Sequence, residues 1–209
     1  MSQTIQWHGQ ELMLLAEKAI FWSSQSTLLV ADLHLGKGAT FRAAGIPIPT
    51  GASQATLDRL SKIVAKTKPK KLIVLGDLFH GREANMDIFT DWVSDQPELK
   101  VEVIAGNHDR WVKLATMGLG SQKSMIVDGI TLAHQPLDDD DPVICGHIHP
   151  GFRLEARGHA SETLSCFWVQ RNCIVLPAFG EFTGLFSVER DKSDRIFLIA
   201  GKEVLELPR

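Results

Sequence analysis

Short apolar runs, each closed by a small or charged residue, recur through the first two thirds of the chain. Thr27–Ala31 (TLLVA) runs into Asp32, Lys71–Leu75 (KLIVL) into Gly76 and Asp77, and Val101–Ala105 (VEVIA) into Gly106 and Asn107. Ile130–Ala133 (ITLA) runs into His134, and Val143–Cys145 (VIC) into Gly146 and His147. An apolar run of this length bounded by turn residues is the pattern of a strand buried on both faces. Between the first three runs the period changes. Leu57, Leu60, Ile63 and Val64 recur at close to 3.6 residues, bracketed by Gly51 and Pro69, and predict a helix over Ala52–Lys66. Met86, Ile88, Phe89 and Val93 predict a second over Asn85–Ser94, and Asp109–Met117 reads as a third. Strands alternating with helices build βαβ units and a sheet covered on both faces.

After Met125 the helical period disappears. Met125–Val127 and Ile130–Ala133, joined by Asp128-Gly129, predict a hairpin. Gly151–Arg157, Cys166–Val169, Cys173–Leu176, Leu185–Glu189 and Arg195–Ile199 read as further strands, so a second, antiparallel-rich sheet is expected. Ile5–Phe21 reads as two short strands. No repeat, linker or low-complexity tract divides the chain, and a single domain over residues 1–209 is expected. The acidic run Asp138–Asp141 reads as a solvated loop before Pro142, with metal binding as the alternative.

Composition narrows the classes. The chain has 209 residues, 44% hydrophobic and 22% charged, enough to bury a core without covalent staples. Three cysteines with no C-x-x-C pair argue against a disulfide framework and a zinc ribbon, and favour a reducing, cytoplasmic compartment. No secretory leader pattern and no long apolar run occurs, so no signal peptide or membrane span is expected. The net charge of −3 excludes a strongly basic nucleic-acid coat but leaves a local basic patch open.

The chemistry sits at the strand ends. Asp32 and His34, Asp77, Asn107 and His108, His134, and His147 and His149 all follow apolar runs, and ligands of open α/β sheets bind beyond the carboxyl ends of strands. Side chains at i and i+2 of an extended segment share a face, so Asp32 with His34, and His147 with His149, are expected to converge. Singly these signals are weak, since Gly-Asp and Gly-Asn are common turns. Five strand ends offering Asp, Asn or His together point to a metal site. Imidazole, carboxylate and amide donors without thiolate suit Mn, Fe or Zn better than Ca or Mg. Seven protein ligands exceed the roughly three of one catalytic ion, whereas two ions about 3.5–4 Å apart sharing a carboxylate would use them, with Asp77 as the bridge. Lys37, Arg42, Arg82, Arg110 and Arg153 lie near these motifs, as phosphate contacts or as solvated charges. Phe79 and Trp111 read as core before base-stacking residues, and Cys145 as a small core residue.

D-x-H (Asp32 to His34), G-D-x-x-H (Gly76 to His80), G-N-H-D (Gly106 to Asp109), an isolated His134 and G-H-x-H (Gly146 to His149) occur in that order. This series resembles the calcineurin-like metallophosphoesterase superfamily. LLVADLHLGK, FRAAGIPIP, VLGDLFH and LPAFGEFTG are similar to the bacterial ligase-associated DNA damage response endonucleases, which are grouped with a DNA ligase and a helicase. The resemblance implies an α/β fold of two packed mixed β-sheets flanked by helices, a four-layer αββα sandwich. It implies two divalent ions, manganese before iron or zinc. One would be held by Asp32, His34, Asp77 and His149, the other by Asp77, Asn107, His134 and His147. His108, Asp109 and His80 are its candidate catalytic residues. Many members carry aspartate where this chain has His80, which leaves open what orients His108. The implied activity is phosphodiester hydrolysis by metal-activated hydroxide, with His108 stabilising charge and protonating the leaving oxygen. The implied substrate is DNA, in repair. A phosphohydrolase for a cyclic nucleotide or a nucleotide-linked lipid precursor, and a non-catalytic scaffold, are the alternatives.

Overall fold

The computed structural model describes residues 2–81, 84–109, 114–117, 119–137, 140–155 and 161–208. The first sheet runs β1 (Gln3–Trp7), β2 (Gln10–Leu15), β3 (Ala19–Trp22), β4 (Thr27–Val30), β5 (Lys71–Leu75), β6 (Lys100–Ile104) and β7 (Gly120–Gln122), in that order across the sheet. Strands β1 to β4 are an antiparallel meander, and β4 to β7 are parallel. The amino-terminal stretch expected as two strands makes three, because Ala16, Glu17 and Lys18 break its apolar pattern and turn the chain back.

Helices α1 (Lys37–Ala43), α2 (Ala52–Thr67) and α3 (Asp87–Ser94) lie between the parallel strands. The expected helix over Asp109–Met117 is described only in part. Leu114–Met117 forms a single 3-10 turn, and residues 110–113 lie outside the described residues. Helix α1 has no counterpart among the expected helices because its seven residues, KGATFRA, carry no apolar stripe.

The second sheet contains β8 (Ser124–Val127), β9 (Ile130–Ala133), β10 (Val143–Cys145), β11 (Pro150–Leu154), β12 (Glu162–Val169), β13 (Cys173–Val175), β14 (Phe186–Ser187), β15 (Arg195–Ala200) and β16 (Glu203–Glu206). Its order is β14-β11-β12-β13-β10-β9-β8, with β15 joining β12 to β16. Antiparallel pairs predominate around a parallel centre of β9, β10 and β13. The β8–β9 hairpin turns on Asp128 (φ 48°) and Gly129 (φ 77°), the paired positive values of a type I′ turn.

The period-2 alternation of the parallel strands explains the layering. Leu28, Val30, Leu72 and Val74 face α2 and α3, against Leu57, Leu60, Ile63, Phe89 and Trp92. Their neighbours Leu29, Ile73, Leu75 and Ile104 face the second sheet, against Ile130, Leu132, Ile144, Phe167 and Ile174. Both faces of β4 and β5 are therefore buried, as their continuous apolar runs required. Among the described residues the result is two mixed sheets with three α-helices, the α/β sandwich expected. Among the described residues no helix is long and apolar enough to cross a membrane.

Candidate metal centre

Each candidate ligand stands just past a strand, in a loop stitched to that of the neighbouring strand, and Asp32 is also tied to the second sheet through Gly180. Asp32 N–H donates to Gly76 O (3.1 Å), His34 N–H to Asp77 O (2.9 Å), Gly146 N–H to His134 O (3.0 Å) and Gly180 N–H to Asp32 O (2.9 Å). Two glycines are required by this closeness. A Cβ on Gly146 would sit 2.5 Å from both Ala31 Cβ and Asp32 Oδ2, and one on Gly106 would overlap the backbone nitrogen and Oδ1 of Asp77.

The local backbone differs from the extended segments expected. Asp32 (φ 54°), His34 (φ 46°), Asp77 (φ 49°), His147 (φ 69°) and His149 (φ 53°) all adopt the left-handed region. Such conformations are uncommon outside glycine, though Asp and His are enriched in them, and they gather at functional sites. The left-handed steps, not the pleat of a strand, turn these side chains inward. His147 and His149 consequently enter two adjoining groups instead of one.

Asp32, His34 and His149 form the first group, and Asp77, His134 and His147 the second; within each, the ligand atoms lie within 4.8 Å of one another. His34 Nε2 is 3.2 Å from His149 Nε2, and His149 Nε2 is 3.7 Å from Asp32 Oδ1. His134 Nε2 is 3.1 Å from His147 Nδ1 and 3.5 Å from Asp77 Oδ1. The groups adjoin through Asp77, whose Oδ2 lies 3.9 Å from His34 Nε2.

The donors are prepared for a cation. His134 Nδ1 lies 3.0 Å from Leu75 O, so a proton there leaves Nε2 bare toward the group. Asp32 Oδ2 accepts the His147 N–H at 2.8 Å, while its Oδ1 is buried with no hydrogen-bond partner among the described residues. A bare buried carboxylate oxygen is costly, and a divalent ion at Asp32 removes that cost. Burial, and secondarily the nearby Lys37 charge, push His34 from its ordinary 6.5 down to about 2, and burial lowers His147 as well. Neutral imidazole is the form a metal needs. The unfolded chain takes up a proton on His34 below pH 6.5, and the fold does not until about pH 2. Metal-free protein is therefore expected to lose stability as pH falls below 6.5. Melting in chelator checks this; a transition temperature constant from pH 7 to pH 5 would count against it.

His108 stands at the rim. Its N–H donates to Asp77 Oδ1 (2.9 Å), its ring is 45% exposed, and its Nε2 lies 4.0 Å from Asp77 Oδ2. The His80 ring stacks on it, with centroids 4.4 Å apart and planes inclined by 25°, and His80 Nδ1 is 3.2 Å from His34 Nδ1. A stacked ring thus contacts His108 from the position whose role the sequence left open. Asp109 is buried and spends both carboxylate oxygens on the backbone: Oδ1 accepts from Phe79 N–H (3.1 Å) and Oδ2 from Gly106 N–H (2.9 Å). Burial pushes its carboxyl pKa up. Asn107 is exposed, between Gly106 and His108.

Residues 26–151 match the calcineurin-like phosphoesterase family. The chain belongs to that family. As a phosphoesterase of this kind it is a metal-dependent hydrolase, with Asp/His clusters able to hold divalent ions. Among solved structures, the Pseudomonas putida nuclease MPE shares 35% identity over 99% of this chain and 100% of that one, with a TM-score of 0.85. This is consistent with the narrower resemblance to ligase-associated endonucleases. The Escherichia coli phosphoesterase YfcE shares 12% identity over 87% of this chain and 97% of that one, with a TM-score of 0.45. No curated protein sequence matches significantly.

The remaining candidates of this phosphoesterase divide. Lys37 is half-buried in a narrow cleft with His34, and the Asp77 and Asp32 charges act on it. Arg42 reaches Ile48 O (3.4 Å) and Pro49 O (3.3 Å), bracing its own loop, and Arg153 is exposed beside Glu155 (3.6 Å). Arg82, Arg110, Trp111, Asp138 and Asp139 lie outside the described residues; Asp140 and Asp141 are exposed. Phe79 and Cys145 are fully buried core residues. The stretch from Phe179 to Phe186, which overlaps LPAFGEFTG, adds residues that were not among the candidate site residues. Phe182 (43% exposed, φ 58°) and Phe186 (60% exposed) present rings to solvent, and Phe186 N–H donates to His149 O at 3.0 Å. Arg59 clamps this loop. It donates to Phe179 O and to Glu181 Oε1 (2.5 Å), and its guanidinium lies 4.4 Å from the Phe179 ring centre. Bulky rings inside the glycine-bearing stretch FGEFTGLF were the available signal.

Proposed function

We propose that this phosphoesterase is a two-metal phosphodiesterase that cuts nucleic acid, with DNA in repair as its substrate and manganese as its native ion. The observation that carries the reading is the pair of Asp/His groups adjoining through Asp77, with Asp32 Oδ1 buried and without a hydrogen-bond partner among the described residues. Asp32, His34, Asp77 and His149 would hold one ion; Asp77, Asn107, His134 and His147 the other. Divalent ions at such a site supply water acidic enough to act as a nucleophile and neutralise phosphate charge.

The chain's own residues do the rest. His108, exposed beside Asp77, contacts the phosphoryl oxygens and delivers a proton to the leaving oxygen. His80 keeps the His108 ring in its plane, and Asp109 holds the Gly106 loop beneath it. Lys37 adds positive potential in the cleft. Phe182 and Phe186 offer flat apolar faces at the rim, on which bases of a strand stack. Their exposure favours a polymer over a small cyclic nucleotide, and the full-length likeness to a nuclease points the same way. We take residues 1–209 as one domain, acting in the cytoplasm beside a ligase and a helicase, as the resemblance implies.

The test is a panel with manganese: bis-p-nitrophenyl phosphate, plasmid DNA, single-stranded DNA and 2′,3′-cyclic nucleotides. The reading expects cleavage of the first and of DNA. Hydrolysis of cyclic nucleotides with DNA left intact would reject the nuclease, and inertness toward all would favour a scaffold. Phe182→Ala is expected to raise KM for a DNA strand about 10-fold, within the range of one lost base stack, and to leave the small diester unchanged. Equal KM values for both proteins on DNA would remove Phe182 from binding.

A further inference from the structure

Phe182 is bulky, exposed and held in an uncommon backbone conformation for its size. Its φ of 58° lies in the left-handed region, in a turn that it shares with Glu181. Turns normally give such a position to glycine or asparagine, and a large side chain there is strained. Burial of the ring does not offset the strain, because the residue is 43% exposed. Strained residues persist where their surroundings hold them, and they gather at functional sites. This one lines the narrow cleft that also holds His34 and Lys37, beside the first metal group. Something other than the ring's own packing must fix the turn.

Both flanks of the turn are tied to the backbone of metal-ligand residues. Gly180 N–H donates to Asp32 O (2.9 Å), and a Cβ on Gly180 would overlap Leu33 O; Phe186 N–H donates to His149 O (3.0 Å). Side chains brace the turn between these flanks. Thr183 Oγ1 reaches Gly180 O only at 3.4 Å. Arg59, on α2, does more. One Nη donates to Glu181 Oε1 (2.5 Å), the other to Phe179 O, and the guanidinium covers the Phe179 ring. Its Nε is buried with no hydrogen-bond partner among the described residues, so the contacts to the loop dictate how the guanidinium lies. The Glu181 charge also acts on Lys18, so this carboxylate answers two cations. An isolated, partly exposed ion pair adds little stability. A planar fork bonded to two points of one loop does something else, which is to fix its geometry. Arg59 itself belongs to neither metal group.

We propose that Arg59 is a positioning residue for strand substrates. By holding Phe179 O and Glu181 it fixes the turn that carries the Phe182 ring beside the His34 cleft. The ring offers a nucleic-acid strand a stacking face that an isolated phosphodiester does not use. Selectivity for a strand over a small diester is thereby set from α2, by a side chain that acts through Phe182. The inference rests on the nuclease reading above.

Arg59→Met keeps an apolar stem and removes the fork; Arg59→Lys keeps a charge opposite Glu181 but cannot bond both points at once. On single-stranded DNA, KM should rise in Arg59→Met toward the roughly 10-fold of Phe182→Ala. It should rise less in Arg59→Lys, and kcat should stay near wild type in both. Turnover of bis-p-nitrophenyl phosphate should be unchanged. In the Phe182→Ala background Arg59→Met should add nothing to KM, since a residue that acts through another has no separate effect. Hydrogen exchange at residues 181–185 should quicken about 10-fold in Arg59→Met, while that at residues 31–34 stays as in the wild type. Glu181→Gln, at a partly exposed side chain, loosens the same fork and stands in where Arg59→Met folds poorly. An equal loss on bis-p-nitrophenyl phosphate would assign Arg59 to support of the metal groups and overturn the proposal. An additive effect in the double variant, or an unchanged strand KM, would overturn it as well. If the wild type cuts no nucleic acid, the nuclease reading fails; faster exchange of the turn then still supports the Arg59 clamp, and unchanged exchange removes it.

Discussion

Asp77→Asn is expected to reduce hydrolysis of every phosphodiester by about 10³-fold or more, and to lower metal content at both groups together. The Asp77 carboxylate lies 3.5 Å from His134 Nε2 through one oxygen and 3.9 Å from His34 Nε2 through the other. An amide keeps the shape and one acceptor but loses the charge that two dications require. Bound metal stabilises the charge of phosphoryl transfer by several kcal/mol, and each 1.36 kcal/mol is tenfold in rate. The fold should survive, because asparagine still accepts the His108 N–H that bonds Oδ1 at 2.9 Å. Elemental analysis after gel filtration, alongside turnover of bis-p-nitrophenyl phosphate, checks this. A variant that retains two ions per chain would end the bridging role of Asp77.

His108→Ala is expected to divide the substrates. Cleavage of DNA should fall by about 10²–10⁴-fold, the range for a lost acid–base group, while bis-p-nitrophenyl phosphate and metal content change little. A DNA alkoxide leaves poorly without a proton, whereas nitrophenolate leaves as a stable anion. The ring is well placed to deliver that proton, being 45% exposed, near Asp77, and buttressed by the stacked His80. A loss of equal size on both substrates would reassign His108 to metal retention. Unchanged DNA cleavage would remove it from the reaction.

The strands that carry the site were legible because burial on both faces leaves continuous apolar runs, as at Lys71–Leu75 and Ile130–Ala133, whose bounds match the structure. The hairpin at Asp128-Gly129 was legible because few residues tolerate two positive φ values in succession. Helix α1 was not, since seven residues without an apolar face resemble a loop. The site residues were visible as chemical types at strand ends, but their direction was not. The left-handed backbone at Asp32, His34, His147 and His149 goes with bonds between loops that follow neighbouring strands, such as His34 N–H to Asp77 O and Gly146 N–H to His134 O, which no local pattern encodes. The exposed rings of Phe182 and Phe186 were hidden for the same reason. An aromatic residue reads as core until the fold shows that Arg59 and the Asp32 backbone fix its loop at the surface.

Anomalous diffraction from crystals soaked in manganese is the most direct test of the two-metal account. It predicts two separate peaks, one among Asp32, His34 and His149 and one among Asp77, His134 and His147. A single peak, or peaks lying away from these side chains, would contradict it.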